Sequence, residues 1–67
     1  MTEMNERTIK ITAWLSPSEA EAFAQFLKRA GHSDYLRNAA DSGEAYEMLY
    51  AGEEIRKALT EAGYAPR

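Results

Sequence analysis

The chain has 67 residues, no cysteine, one histidine and a formal net charge of −3 at pH 7. This length predicts a single domain over residues 1–67, because domains seldom fall below about 50 residues. The lack of cysteine excludes a disulfide framework and a thiolate zinc site. The sequence contains no run of about 20 apolar residues, so it predicts no membrane span and favours a cytoplasmic location.

Residues 7–15 alternate apolar and polar side chains, which is the period-two pattern of a β-strand. One predicted face consists of Ile9, Ile11, Ala13 and Leu15, and the other of Thr8, Lys10, Thr12 and Trp14. Because no other segment resembles a strand, the backbone N–H and C=O groups of this one need partners from elsewhere. We therefore predict a homodimer in which two strands pair across a two-fold axis, with pairing to residues 64–67 as the alternative. Whether Trp14 belongs to the core or to an interface is left open.

The first predicted helix covers residues 17–30. Ser16 is a favourable N-cap, Pro17 suits the first helical position, and Glu19 completes a capping box. Gly31 predicts the end of the helix through a left-handed backbone. The predicted buried stripe consists of Ala20, Phe23, Phe26, Leu27 and Ala30.

Two further helices are predicted, a short one over 33–40 and a long one over 42–62. Ser33 or Asp34 would cap the short helix, while Asp41 and Glu44 form a second capping box before the long one. The predicted buried face of the long helix contains Ala45, Met48, Leu49, Gly52, Ile55, Leu59 and Ala62. The predicted fold is thus α+β and mostly helical, one strand followed by three helices. Residues 1–6 and 64–67 are expected to be flexible.

The sequence predicts no enzyme. His32, Ser33 and Asp34 are consecutive, and adjacent residues on a turn rarely converge on one reacting group as a catalytic triad requires. His32 is therefore predicted to be a solvated turn residue. No pair of carboxylates lies in an apolar setting that would raise a pKa. We predict no catalytic residue, no cofactor and no metal site.

The negative charge belongs to the second half of the chain, since residues 34–67 contain seven acidic and four basic side chains. At about 100° per residue, six acidic or aromatic side chains share the outward face of the third helix. They are Tyr46, Glu47, Tyr50, Glu53, Glu54 and Glu61. We predict that this face binds a basic protein. The alternative is a solvated face with i,i+4 pairs such as Glu53 with Lys57.

Part of the chain resembles the ribbon-helix-helix repressors, which have a strand, a helix, a glycine turn and a second helix. The similarity rests on the run Ile9–Leu15, on Pro17, on Gly31-His32-Ser33 and on Leu36-Arg37-Asn38-Ala39. It implies a dimeric DNA-binding regulator in which Thr8, Lys10 and Thr12 read base edges in the major groove. A net negative charge argues against this function, because DNA affinity depends mainly on neutralising phosphates.

A second resemblance covers more of the chain, and it is to a family of uncharacterised short proteins from proteobacterial phages and mobile elements. The similar segments are Ala24–Arg29 with Gly31, Glu44-Ala45-Tyr46, Ile55–Leu59 and Ala62–Arg67. Accessory genes of this kind include anti-CRISPR proteins, which are often small, acidic and without catalytic residues. The resemblance implies an inhibitor that binds a basic host protein, such as a subunit of a CRISPR effector. The DNA-binding regulator is the alternative function.

Overall fold

The computed structural model describes residues 8–65, which form three helices joined by short loops. The helices are α1 (Pro17–Arg29), α2 (His32–Arg37) and α3 (Ser42–Glu61). No strand is present in this described part of the chain, so the predicted α+β fold is wrong and the observed architecture is helical. The predicted order of the three helices is observed, but α2 ends three residues earlier than expected.

The predicted strand is the main error. Residues 8–16 carry no regular secondary structure, and their side chains are exposed, Ile9 by 83 %. Alternating side chains indicate two faces of an extended backbone, but a strand exists only where a neighbouring strand accepts and donates its hydrogen bonds. No such neighbour lies within residues 8–65. Because residues 8–16 form no strand, the predicted two-stranded ribbon loses its basis, whereas the homodimer itself stays a prediction.

The beginning of α1 confirms the predicted capping box. The backbone N–H of Ser16 donates to Glu19 Oε1 at 2.8 Å, and the N–H of Glu19 donates to Ser16 Oγ at 3.1 Å. The end of α1 differs from the prediction, because Gly31 has a φ of −112° and lies in the extended region. A left-handed glycine does follow α3, where Gly63 has a φ of 100°.

Helix α2 begins at His32 rather than at residue 33, and its N-cap is Gly31. Asp34 stabilises this beginning, since its Oδ2 accepts a hydrogen bond of 2.8 Å from the N–H of Gly31. Its other oxygen, Oδ1, accepts one of 2.6 Å from Nη2 of Arg37. The hydrogen bond from Gly31, assisted by the positive charge of Arg37 and opposed by partial desolvation, lowers the pKa of Asp34 below its usual value.

The lowered pKa of Asp34 predicts a pH dependence of stability. A carboxylate whose pKa is lower in the folded chain stabilises the fold above its unfolded pKa of about 3.9, and this contribution is lost as the pH falls through the folded pKa. We expect Asp34→Asn to reduce the free energy of unfolding at pH 7. The difference in this free energy between the natural chain and the variant should become smaller below about pH 4. Urea unfolding of both proteins across this range measures the effect. A difference that does not change with pH would contradict it.

Helix α3 begins with one half of the predicted capping box. The side chain of Asp41 accepts a hydrogen bond of 2.8 Å from the N–H of Glu44. The Glu44 carboxylate reaches one residue further back than predicted and accepts a bond of 2.6 Å from the N–H of Ala40. Together these bonds connect the turn after α2 to the first turn of α3.

The core is small and centres on α3, against which both α1 and α2 pack. The buried residues are Ala20, Ala24, Leu27, Ala45 and Leu59. Phe23 and Phe26 were predicted to be buried, but they remain 40 % and 52 % exposed. The apolar arc of α1 is wider than the surface that α3 covers, so one edge of that arc stays open.

Gly52 lies where all three helices meet. A Cβ atom at this position would lie 2.6 Å from the hydroxyl oxygen of Tyr35 in α2 and 3.5 Å from Cδ2 of Leu27 in α1. Because glycine has no Cβ atom, Gly52 permits the close approach of α2 to α3.

The chain after α3 folds back onto the core. The N–H of Tyr64 donates to the carbonyl of Leu59 at 2.9 Å, and the Tyr64 side chain packs against the buried cluster. The predicted flexibility of residues 1–6, and of 66–67, concerns positions outside the described residues.

Candidate functional site

The six residues proposed from the sequence as a binding site all lie on α3, and all six side chains are exposed. We call this set the acidic surface: Tyr46, Glu47, Tyr50, Glu53, Glu54 and Glu61. The spacing of the residues places them along one side of a 20-residue helix, whose length is about 30 Å. The sequence periodicity correctly predicted that these side chains point away from the core.

The four carboxylates of the acidic surface are available to a ligand. Within residues 8–65, none of them forms an ion pair, although Lys57 lies on the same side of α3. The alternative pair of Glu53 with Lys57 is therefore not formed in this part of the chain. Exposed carboxylates without intramolecular partners retain their full charge for attraction to a cationic surface.

Three aromatic rings lie close together at the beginning of the acidic surface, with Tyr50 stacked on Tyr46 and His32 tilted against it. The ring centroids of Tyr46 and Tyr50 are 6.3 Å apart, and those of His32 and Tyr46 are 4.6 Å apart. Stacked tyrosines present a rigid amphipathic surface, and tyrosine is among the residues that contribute most to protein interfaces. The two tyrosines therefore give the acidic surface an aromatic end as well as charge.

The position of His32 differs from the prediction of a solvated turn residue. It is the first residue of α2 and is half-buried against Tyr46. Its Nε2 atom is buried and has no hydrogen-bond partner among the described residues. Sequence reasoning missed this contact because His32 and Tyr46 lie 14 positions apart on different helices, where no periodicity relates them.

A second surface feature is an apolar groove of about 1150 Å³. It runs between the extended segment before α1 and the open sides of α1 and α3. Its large apolar residues are Ile9, Ile11, Leu15, Phe23, Phe26, Ile55 and Leu59, with Ala13, Ala22, Ala51 and Ala58 between them. Only three polar residues line it, Thr12, Glu19 and Glu54. Glu54 thus belongs to both the groove and the acidic surface.

The residues of the alternative DNA-binding site lie on the extended segment. Thr8, Lys10 and Thr12 are exposed there, and Thr12 lines the apolar groove. The structure does not bring these three residues into a paired β-ribbon, which recognition of bases in the DNA major groove would require. Trp14, on the same segment, is 94 % exposed and so does not belong to the core of the described chain.

Comparison with known sequences places the chain in a family. A profile of the DUF7706 family, described as a family of unknown function, matches residues 1–67. The chain belongs to the DUF7706 family. No curated protein and no solved structure shows significant similarity to it. The DUF7706 match covers the whole sequence and assigns no function to it.

The described region of the DUF7706 chain contains neither a cluster of metal-binding side chains nor a helix able to cross a membrane. Residues 8–65 contain no group of three or more histidine, aspartate or glutamate side chains able to hold a metal ion. None of the helices there combines the length and the apolar composition needed to cross a bilayer. The acidic surface and the apolar groove are the features that remain to be explained.

Proposed function

We propose that this DUF7706 protein is a non-catalytic binding protein whose acidic surface docks on a basic protein in the cytoplasm. The observation that carries the proposal is the combination of four unpaired carboxylates with the Tyr46–Tyr50 stack on one side of α3. Carboxylates attract and orient a cationic partner from a distance, while the tyrosines supply contact area at short range.

The negative charge of the acidic surface indicates which class of protein could be its partner. A protein that normally binds nucleic acid presents lysine and arginine along a groove, and a row of glutamates on a helix about 30 Å long is complementary to such a groove. We therefore propose a nucleic-acid-binding host protein, such as a CRISPR effector subunit, as the partner. By occupying the basic groove, the chain would exclude the nucleic acid and act as an inhibitor of the kind found in phages and mobile elements.

Charge reversal tests the acidic surface. Affinity capture from host cells would supply the partner, and titration calorimetry would then measure its binding to purified chains. We expect the triple variant Glu47→Lys, Glu53→Lys, Glu61→Lys to bind at least about tenfold more weakly, because three attractions become repulsions. Glu54 is left unchanged because it also lines the apolar groove.

Two controls separate docking from general charge effects. Glu21→Lys introduces the same change of charge as each single reversal, but on α1, and is expected to alter the affinity less than Glu47→Lys. Circular dichroism should show an unchanged helical content in all variants. If a folded triple variant bound as tightly as the natural chain, the acidic surface would not be the docking site.

The inhibitory function has its own readout. Addition of the chain should displace a labelled nucleic acid from the captured partner, and displacement should weaken as the salt concentration rises, since exposed charges are screened. A gel shift with DNA and the chain alone tests the regulator function instead. A shift that Lys10→Ala abolishes would favour the DNA-binding alternative, which no structural observation supports at present.

A further inference from the structure

The described chain leaves an unusually large part of its apolar surface uncovered. Three of its five buried residues are alanines, so the core contains only two large side chains, Leu27 and Leu59. Ten large hydrophobic residues are exposed instead. A chain of 67 residues needs most of its apolar area buried to fold stably, and this one has no cysteine to compensate through disulfides.

Most of the exposed apolar area lies in one place. Six of the ten exposed residues line the apolar groove, and their exposure ranges from 36 to 83 %. They are Ile9, Ile11, Leu15, Phe23, Phe26 and Ile55. A fully buried aromatic side chain removes about 150 to 250 Å² from water, and aliphatic ones somewhat less, so these six present on the order of 600 Å². The four groove alanines add to this area.

That area is about three quarters of what each partner buries in a standard protein interface. A standard protein interface covers about 800 Å² on each partner, and homodimer interfaces are more apolar than the average surface. The exposed apolar area of the groove lies at the upper end of the about 300 to 600 Å² that the largest apolar patch of a monomeric protein usually measures. We propose that a second copy of this chain covers the apolar groove across a two-fold axis.

The charge distribution places little repulsion at the groove if a second copy is the occupant. Two chains of net charge −3 repel each other. This repulsion is weaker when the two grooves approach, because few carboxylates line the groove. The carboxylate of Glu19 accepts a hydrogen bond within the N-cap of α1, and Glu54 lies where the groove meets the acidic surface. Because a two-fold interface uses the same patch on both copies, apolar side chains at the edge of each groove would have to enter the groove of the other copy.

This inference does not depend on the proposed function. Tyr46, Tyr50 and the remaining glutamates of the acidic surface do not line the groove, so a dimer leaves them accessible on both copies. Failure of the acidic surface to bind a partner would leave the dimer unaffected. Failure to dimerise would likewise leave the acidic surface testable.

Sedimentation equilibrium at micromolar concentration tests the proposal. We expect the natural chain to have twice its monomer mass of 7.5 kDa. Ile11→Glu places a charge in the groove without touching the buried core, since Ile11 is outside the helices and mostly exposed. It should weaken dimerisation by roughly 100-fold, because the carboxylate would be buried in an apolar interface.

The matched control is Leu36→Glu, which introduces the same charge at an exposed aliphatic residue of α2 outside the groove. This variant should keep the dimer mass. A mixed sample of isotope-labelled and unlabelled chains should show intermolecular NOEs between Phe23 or Phe26 and Ile55. A natural chain of monomer mass would overturn the proposal, as would a dimer that Ile11→Glu does not weaken.

Discussion

Replacing Leu27 with alanine is expected to lower the free energy of unfolding by about 2 to 4 kcal/mol. Leu27 is 7 % exposed, and with Leu59 it is one of the two large side chains in the buried cluster of the described chain. Its Cδ2 atom also lies over Gly52, at the point where the three helices meet. The lost isopropyl group would leave a cavity in a cluster whose other buried members are Ala20, Ala24 and Leu59, so few side chains could move to fill it.

Leu36→Ala is the matched control for this prediction. Leu36 is 43 % exposed on α2, so the same deletion there should change the free energy of unfolding by about 0.5 kcal/mol or less. Urea unfolding followed by circular dichroism measures both variants, at one fixed protein concentration because association would add to the apparent stability. Equal losses in the two variants would contradict the assignment of Leu27 to the core.

Replacing Gly52 with alanine is expected to destabilise the chain by about 1 kcal/mol, although alanine is the better helix former. In an exposed helix interior the same change would gain about 1 kcal/mol. Here the new Cβ would lie 2.6 Å from the hydroxyl oxygen of Tyr35, so the Tyr35 ring would have to move. Overpacking of this kind costs about 1 to 3 kcal/mol, which exceeds the gain in helix propensity.

Tyr35→Phe removes the atom responsible for this clash. The nearest remaining atom of the ring, Cζ, would lie 3.5 Å from the new Cβ, which is an ordinary contact distance. In the Tyr35→Phe background, Gly52→Ala should therefore stabilise the chain by about 1 kcal/mol. The double-mutant cycle then has a coupling of about 2 kcal/mol. Additive effects in thermal or urea unfolding would show that Tyr35 does not approach Gly52 so closely.

The beginnings of α1 and α3 could be predicted from sequence because the residues that determine them are local, whereas the predicted cap of α2 was wrong. Ser16, Pro17 and Glu19 identify the beginning of α1, and the predicted hydrogen bonds are present. Asp41 identifies the beginning of α3 in the same way. The end of α1 was harder to predict, because Gly31 can adopt either a left-handed or an extended backbone and its own sequence position does not decide between them.

The errors concern contacts between distant segments. Alternation over residues 7–15 indicated two faces, but whether a partner strand exists depends on the rest of the fold. The 3.6-residue period of α1 identified its apolar arc, but not which part of that arc α3 would cover. Leu27 is buried there, whereas Phe23 and Phe26 line the groove.

The candidate site was predicted in part. The outward direction of the glutamates and tyrosines on α3 follows from helix periodicity alone, and the structure has all six exposed. The contact between the His32 and Tyr46 rings and the apolar groove depend on how the helices pack, so no pattern within one segment indicates them.

The acidic surface and the apolar groove lie on neighbouring sides of the same helix, with Glu54 at their boundary. In a dimer formed through the groove, two acidic surfaces would be held at a fixed spacing by two rigid α3 helices. Such an assembly is bivalent, so a target with two basic sites at a matching distance would be held by avidity. Two contacts that are weak on their own would then suffice for tight, selective capture of a repetitive or oligomeric target.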